Sequence, residues 1–92
     1  MTRSGFLTID AQKVFLLGYD MKLTPAEYRV LTVIAATSGV SAEEIMERGG
    51  FSGMSKSNVA VHICSINKKA GRISGRRLIL FENDVYLLSK YM

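Results

Sequence analysis

The 92-residue sequence predicts an α+β fold made of a small N-terminal antiparallel sheet, three helices and a C-terminal β-hairpin. Three observations predict it. Short β-rich runs separated by turn residues open the chain. Two helix starts carry reciprocal capping pairs. A third helical segment repeats apolar residues at steps of four, three and four. These divide the chain into strands over 1–23, helices over 24–71 and a hairpin over 72–92, within one domain over 1–92.

At the N-terminus, Phe6-Leu7-Thr8-Ile9 forms a first run, broken by Asp10-Ala11-Gln12-Lys13. Val14-Phe15-Leu16-Leu17 forms a second. Gly18-Tyr19-Asp20 supplies a turn, and Met21-Lys22-Leu23 returns. Thr24-Pro25-Ala26-Glu27 then opens the first helix. The Thr24 hydroxyl accepts from the Glu27 amide, the Glu27 carboxylate accepts from the Thr24 amide, and proline takes the first helical position. Tyr28, Val30, Leu31, Val33, Ile34 and Ala35 wrap most of this helix, so it is expected at the centre of the fold, ending by Gly39.

Ser41-Ala42-Glu43-Glu44 is a second capping box. It opens a short helix stopped by Gly49-Gly50, with Phe51 to Met54 as a loop. The third helix starts near Ser55 or Ser57. Val59, Ile63, Ile66 and Ala70 make one stripe on it, and Gly71 is its expected stop. Arg77 to Phe81, a turn at Glu82-Asn83-Asp84, and Val85 to Leu88 read as the closing hairpin. Strands, helix, helix, turn, helix and hairpin is the order of a winged helix-turn-helix.

Charge is unevenly placed. The net value is +4, but Lys56, Lys68, Lys69, Arg72, Arg76 and Arg77 fall between Met54 and Phe81 without one Asp or Glu. The segments before and after each carry a net −1. A positive third on a near-neutral body suits a polyanionic partner, and it equally suits a solvated basic face. Cys64 is the single cysteine, which favours a reducing compartment. No apolar run approaches the ~20 residues of a membrane helix, and Met1 to Asp10 has no signal-peptide core. A cytoplasmic chain without a membrane partner is expected. No Ser/His/Asp grouping, phosphate-cradling glycine loop or paired acids appear, so no enzyme, cofactor or small-molecule substrate is expected. His62 and Cys64 alone make no metal site, because zinc needs three or four converging ligands.

Leu23-Thr24-Pro25-Ala26-Glu27-Tyr28 resembles the L-T-x-x-E-[FY] opening of OmpR/PhoB-type response-regulator effector domains. Leu31 continues the match, and Ser41 with Glu43-Glu44-Ile45 resembles the start of their second helix. Asn58-Val59-Ala60-Val61-His62-Ile63 resembles the V-x-V-H-I core of their recognition helix, followed by Ile66 and Lys68-Lys69. Tyr86 falls at the tyrosine of their wing motif. The resemblance implies a third helix docked in the major groove of double-stranded DNA, a wing near the minor groove, dimers on direct repeats and a role in transcription. In full-length members a phosphorylatable receiver domain precedes this unit. The 92 residues hold no receiver, so either the domain is excised or it stands alone.

With the apolar stripe turned inward, Ser57, Val61, Cys64 and Lys68 lie on the opposite side of the third helix, flanked by Asn58, Ser65 and Lys69. The candidate base-reading residues are Ser57, Asn58, Val61, Cys64 and Ser65. Asn58 suits adenine and Val61 a thymine methyl. The candidate phosphate contacts are Lys56, His62, Lys68, Lys69, Arg76 and Arg77. The family carries arginines at the positions matching Ser57, Cys64, Ser65 and Asn67, and a wing arginine at the position of Glu82. The face is therefore expected to read a different code. The second reading is a winged-helix module that has lost base readout and contacts a protein such as RNA polymerase.

Overall fold

The computed structural model describes residues 2–4, 7–50 and 55–89. Four strands, β1 (Thr2–Ser4), β2 (Leu7–Asp10), β3 (Lys13–Leu16) and β4 (Tyr19–Asp20), pair in chain order as an antiparallel meander. Three helices follow: α1 (Pro25–Ala35), α2 (Ala42–Arg48) and α3 (Lys56–Ser74). The strands β5 (Ile79–Glu82) and β6 (Val85–Leu88) close the described chain as a hairpin. This is the predicted α+β winged-helix layout, with β1 as an added strand.

The two capping boxes form as the sequence implies. The Thr24 hydroxyl accepts from the Glu27 amide, and the Thr24 amide donates to Glu27 Oε1 at 2.9 Å. Ser41 and Glu44 repeat the arrangement at α2. Ser55, the earlier of the two cap candidates, caps α3 by accepting from the Asn58 amide. A serine or threonine oxygen at each cap satisfies an amide that has no partner within its own helix.

The core is one cluster. Leu16 from β3, Val30, Leu31 and Ile34 from α1, and Ile45 from α2 are fully buried. Val59 and Ile66 from α3, with Leu78 and Val40 from the connections, complete it. All four predicted stripe residues of α3, Val59, Ile63, Ile66 and Ala70, are buried. The inward side of α3 is thereby fixed, and with it the side that faces water.

Several boundaries differ from the sequence expectation, each for a tertiary reason. α3 does not stop at Gly71. It runs one turn further to a C-cap at Gly75, whose φ of 75° is left-handed. The extra turn lets Ile73 pack against the core, which offsets the roughly 1 kcal/mol that a helical glycine costs. In the N-terminal sheet, the turns are Ala11-Gln12 (φ 47° and 66°) and Leu17-Gly18 (φ 52° and 85°), between the pairs Asp10–Lys13 and Leu16–Tyr19. Leu17 is thus a half-exposed turn residue rather than the end of a strand, and the return strand begins at Tyr19, not Met21. The closing hairpin begins at Ile79 rather than Arg77 and turns on Asn83-Asp84 alone (φ 52° and 63°). Paired positive φ values give a two-residue loop whose twist matches that of the strands. A bridge between Val40 and Tyr86 ties the hairpin to the α1–α2 connection. The expected loop over Phe51 to Met54 lies outside the described residues.

Candidate nucleic-acid interface

The outward side of α3 is built by subtraction from its buried stripe. Ser57, Val61, Cys64 and Lys68 follow one another at helical spacing and are all exposed, as are Lys56, Asn58 and Ala60. Val61 is 65% exposed, so an apolar side chain stands on this face beside the polar ones. The Asn58 carbonyl oxygen accepts from the Ser55 hydroxyl at 3.2 Å, which orients the amide at the first turn. His62 is half-buried at the border of this face.

Ser65 and Lys69, expected at the edge of the same face, are instead drawn toward α1. Glu27 is 4% exposed and gathers both. Ser65 Oγ donates to Glu27 Oε2, and Lys69 Nζ donates to Glu27 Oε1 at 2.5 Å and to the Lys22 carbonyl at 3.1 Å. A carboxylate inside the fold must be paired and hydrogen-bonded, and the two α3 residues one turn apart that face α1 do this. Burial pushes the Glu27 carboxyl up. The bonds from Lys69, Ser65 and the Thr24 amide, with the Lys69 charge, outweigh it and hold the group below its ordinary range. In the structure Ser65 and Lys69 therefore lock the roll of α3 about its axis.

Asn67 is the residue that sequence reasoning missed. Its Nδ2 donates to the Ile79 carbonyl at 3.1 Å, and its Oδ1 accepts from the Leu78 and Ile79 amides at 3.1 and 2.8 Å. One amide side chain thereby satisfies the start of β5 and fixes the hairpin to α3. The signal was an asparagine inside a helix, where it disfavours the helical conformation and earns its place only through a tertiary bond.

Lys56 pairs with Glu43 of α2, and both side chains remain largely in water. The hydrogen bond to Glu43 raises the Lys56 ammonium, and the bond from Lys56 lowers the Glu43 carboxyl. Lys68, Arg76 and Arg77 are exposed around the C-terminal half of α3 and the segment that follows it. Among the described residues, no cluster of three His, Cys, Asp or Glu side chains converges as a metal site, and no helix is long and apolar enough to cross a membrane.

No family model and no curated protein matches the chain by sequence. Solved structures match by shape. A streptococcal protein, described as one of a novel family of redox sensors evolved from two-component response regulators, superposes with a TM-score of 0.82 at 20% identity. The match covers 96% of this chain and 41% of that one, so this chain spans less than half of the streptococcal protein. The DNA-binding domain of the response regulator AdeR, solved in complex with an intercistronic region, superposes with a TM-score of 0.78 at 19% identity, over 96% and 97% of the two chains. With its meander, three helices and closing hairpin in the same arrangement, this chain has the fold of response-regulator DNA-binding domains.

Proposed function

We propose that this chain binds duplex DNA sequence-specifically as the output domain of a two-component-type transcriptional regulator. The observation that carries the proposal is the outward side of α3. Ser57, Asn58, Val61 and Cys64 stand clear of the core on one helix, with Lys68, Arg76 and Arg77 following. A helix of this kind fits the major groove, where side chains reach base edges while flanking cations meet phosphates. That the AdeR domain of the same fold was solved with DNA supports the reading. In this reading α3 enters the groove with Ser57, Asn58, Val61 and Cys64 toward the bases, and Lys68, His62, Arg76 and Arg77 hold the backbone. Lys56 joins them when phosphate displaces Glu43. The domain acts as one unit, dimerises on repeated half-sites and reaches RNA polymerase from there, inside the cytoplasm.

A second reading, a protein-interaction module without base readout, is favoured by one feature. The hairpin end carries Glu82 and Asp84, both exposed, where a DNA-facing wing calls for cations. Selection from random duplexes separates the two. The DNA reading expects an enriched sequence whose log affinity falls with log salt at a slope of about −3.6, for about four neutralised phosphates. Lys68→Ala should weaken all duplexes alike and flatten the slope by about 0.9, whereas Asn58→Ala should relax preference at one base pair by about 1–3 kcal/mol. No enrichment from a folded protein refutes the DNA reading.

A further inference from the structure

The outward side of α3 divides into a cationic frame and a neutral centre. Lys56 and Lys68 stand exposed at its two ends, about 18 Å apart along the helix axis. Between them the exposed side chains are Ser57, Asn58, Ala60, Val61 and Cys64, and none of them is a cation or a carboxylate. Cys64 lies three residues after Val61 and four after Ala60, so the three side chains adjoin on the helix surface as one apolar ridge. Val61, at 65% exposure, is its crest. Ser57 and Asn58 lie one turn before Val61 and adjoin it in the same way. The Asn58 carbonyl oxygen is engaged by the Ser55 hydroxyl, which leaves the Asn58 Nδ2 as a donor beside the ridge.

We propose that this chain selects its duplex by pyrimidine C5-methyl groups rather than by guanine, with Val61 packed on a methyl and Ala60 and Cys64 completing the apolar wall around it. The inference rests on the DNA-binding reading and deepens it, because it names the class of duplex. Arginine or lysine to guanine is the commonest specific contact in the major groove, and the centre of this face holds neither residue. A thymine edge sets an O4 acceptor beside a C5-methyl group. Short neutral donors beside an apolar ridge match that pairing, and charge complementarity places phosphates only at the two framed ends. The C5-methyl group is the sole difference between thymine and uracil, and between 5-methylcytosine and cytosine. The same wall therefore favours 5-methylcytosine over cytosine, which makes binding responsive to cytosine methylation. A methyl contact adds buried apolar area without adding charge, so it contributes to selectivity and leaves the salt dependence as it was.

The test removes one methyl at a time from the duplex enriched by selection. Each thymine is exchanged in turn for deoxyuridine, and the affinity of the full chain is measured for every exchange. At the position under Val61 the exchange should weaken binding about fourfold, the equivalent of the ~0.8 kcal/mol of one buried CH2 group. At that same position, 5-methylcytosine opposite guanine should bind about fourfold more tightly than cytosine opposite guanine. Val61→Ser should bind the thymine and deoxyuridine duplexes alike there, with the salt slope unchanged. Circular dichroism and thermal melting establish that this exposed substitution leaves the fold intact. The proposal is overturned, with the DNA reading left standing, if the enriched duplex tolerates deoxyuridine at every position or depends instead on a guanine beneath the centre of α3. It is overturned equally if the loss on exchange is as large in Val61→Ser as in the wild type, because the methyl then acts through the shape of the duplex. If the folded wild-type chain enriches no duplex, both readings fall together.

Discussion

Glu27→Gln keeps the shape of the side chain that joins α1 to α3, removes its charge and turns one acceptor oxygen into a donor. The carboxylate accepts from the Thr24 amide, from Ser65 Oγ and from Lys69 Nζ. Bonds to a charged group contribute about 1.5–3 kcal/mol each and neutral ones about 1 kcal/mol. In the variant the Thr24 amide and the Lys69 ammonium share the one amide oxygen, and Ser65 must turn to accept from the new Nε2–H, so the charge-assisted gain at the carboxylate is lost at a cost of about 2 kcal/mol. The side chain of Lys69 is 24% exposed against 5% for Glu27, so the ammonium regains some water and the loss stays below the roughly 3–5 kcal/mol of a fully buried broken pair. A chain of this length has roughly 5–14 kcal/mol of stability in all, and the variant should melt about 8–16 °C lower. The pH dependence carries the sharper test. The Glu27 carboxyl is held below its ordinary value of 4.5 in the folded chain. Its contribution is thus complete above the unfolded-state value and disappears as pH falls through the folded-state value. Urea unfolding followed by circular dichroism should show a difference of about 2 kcal/mol near neutral pH that closes progressively below about pH 4. A difference that survives unchanged at about pH 2, or one under about 0.5 kcal/mol at neutrality, would refute the role assigned to Glu27.

Two further outcomes follow from the helix and hairpin geometry. Asn67→Ala strands the amides of the buried Leu78 and Ile79, at a cost of about 3 kcal/mol, and hydrogen exchange at those two amides should accelerate more than at the α1 core. The glycines of α3 should respond with opposite signs. Gly71 lies inside the helix with open space where a Cβ would stand, so Gly71→Ala should raise the urea midpoint by the equivalent of about 0.5–1 kcal/mol. Gly75 also has open space, but its φ of 75° makes Gly75→Ala cost about 1 kcal/mol.

What the sequence revealed and what it concealed divide along a physical line. Features set by neighbours a few residues away were legible. Thr24 with Glu27 and Ser41 with Glu44 form the capping boxes their spacing implied, and the Val59–Ala70 stripe is buried because a 3.6-residue period leaves it no other side to occupy. Features decided by distant partners were not. Ala11-Gln12 and Leu17-Gly18 adopt positive φ because the β2–β3 and β3–β4 registers leave two residues to reverse the chain, and only Gly18 prefers that conformation. Gly71 stops no helix because Ile73 has a core to meet. Asn67 gave no local hint that the partner of its amide would be the start of a strand twelve residues away. The candidate face was legible as a side of a helix, since Ser57, Val61, Cys64 and Lys68 are all exposed. Its edge was not, since Ser65 and Lys69 turn to a glutamate some forty residues earlier.

That edge changes the electrostatics of the face. The positive third of the sequence holds six cations, and a count treats them as equivalent. The structure separates Lys56 from Lys69, although each meets one glutamate. The Lys56–Glu43 pair has both ends in solvent, where water and salt already screen the attraction and a phosphate can compete for the ammonium. Glu27 has no such alternative. If Lys69 left for a phosphate, a buried carboxylate would remain without its cation, and the cost of that would exceed what one surface phosphate contact returns. Lys69 therefore belongs to the scaffold that orients α3, whereas in the proposed function Lys56 is the cation a phosphate can recruit. The same argument predicts how their replacement should differ. In the proposed complex with duplex DNA, Lys56→Ala should leave the melting temperature unchanged and flatten the salt dependence of binding, whereas Lys69→Ala should lower the melting temperature and leave the salt slope where it was.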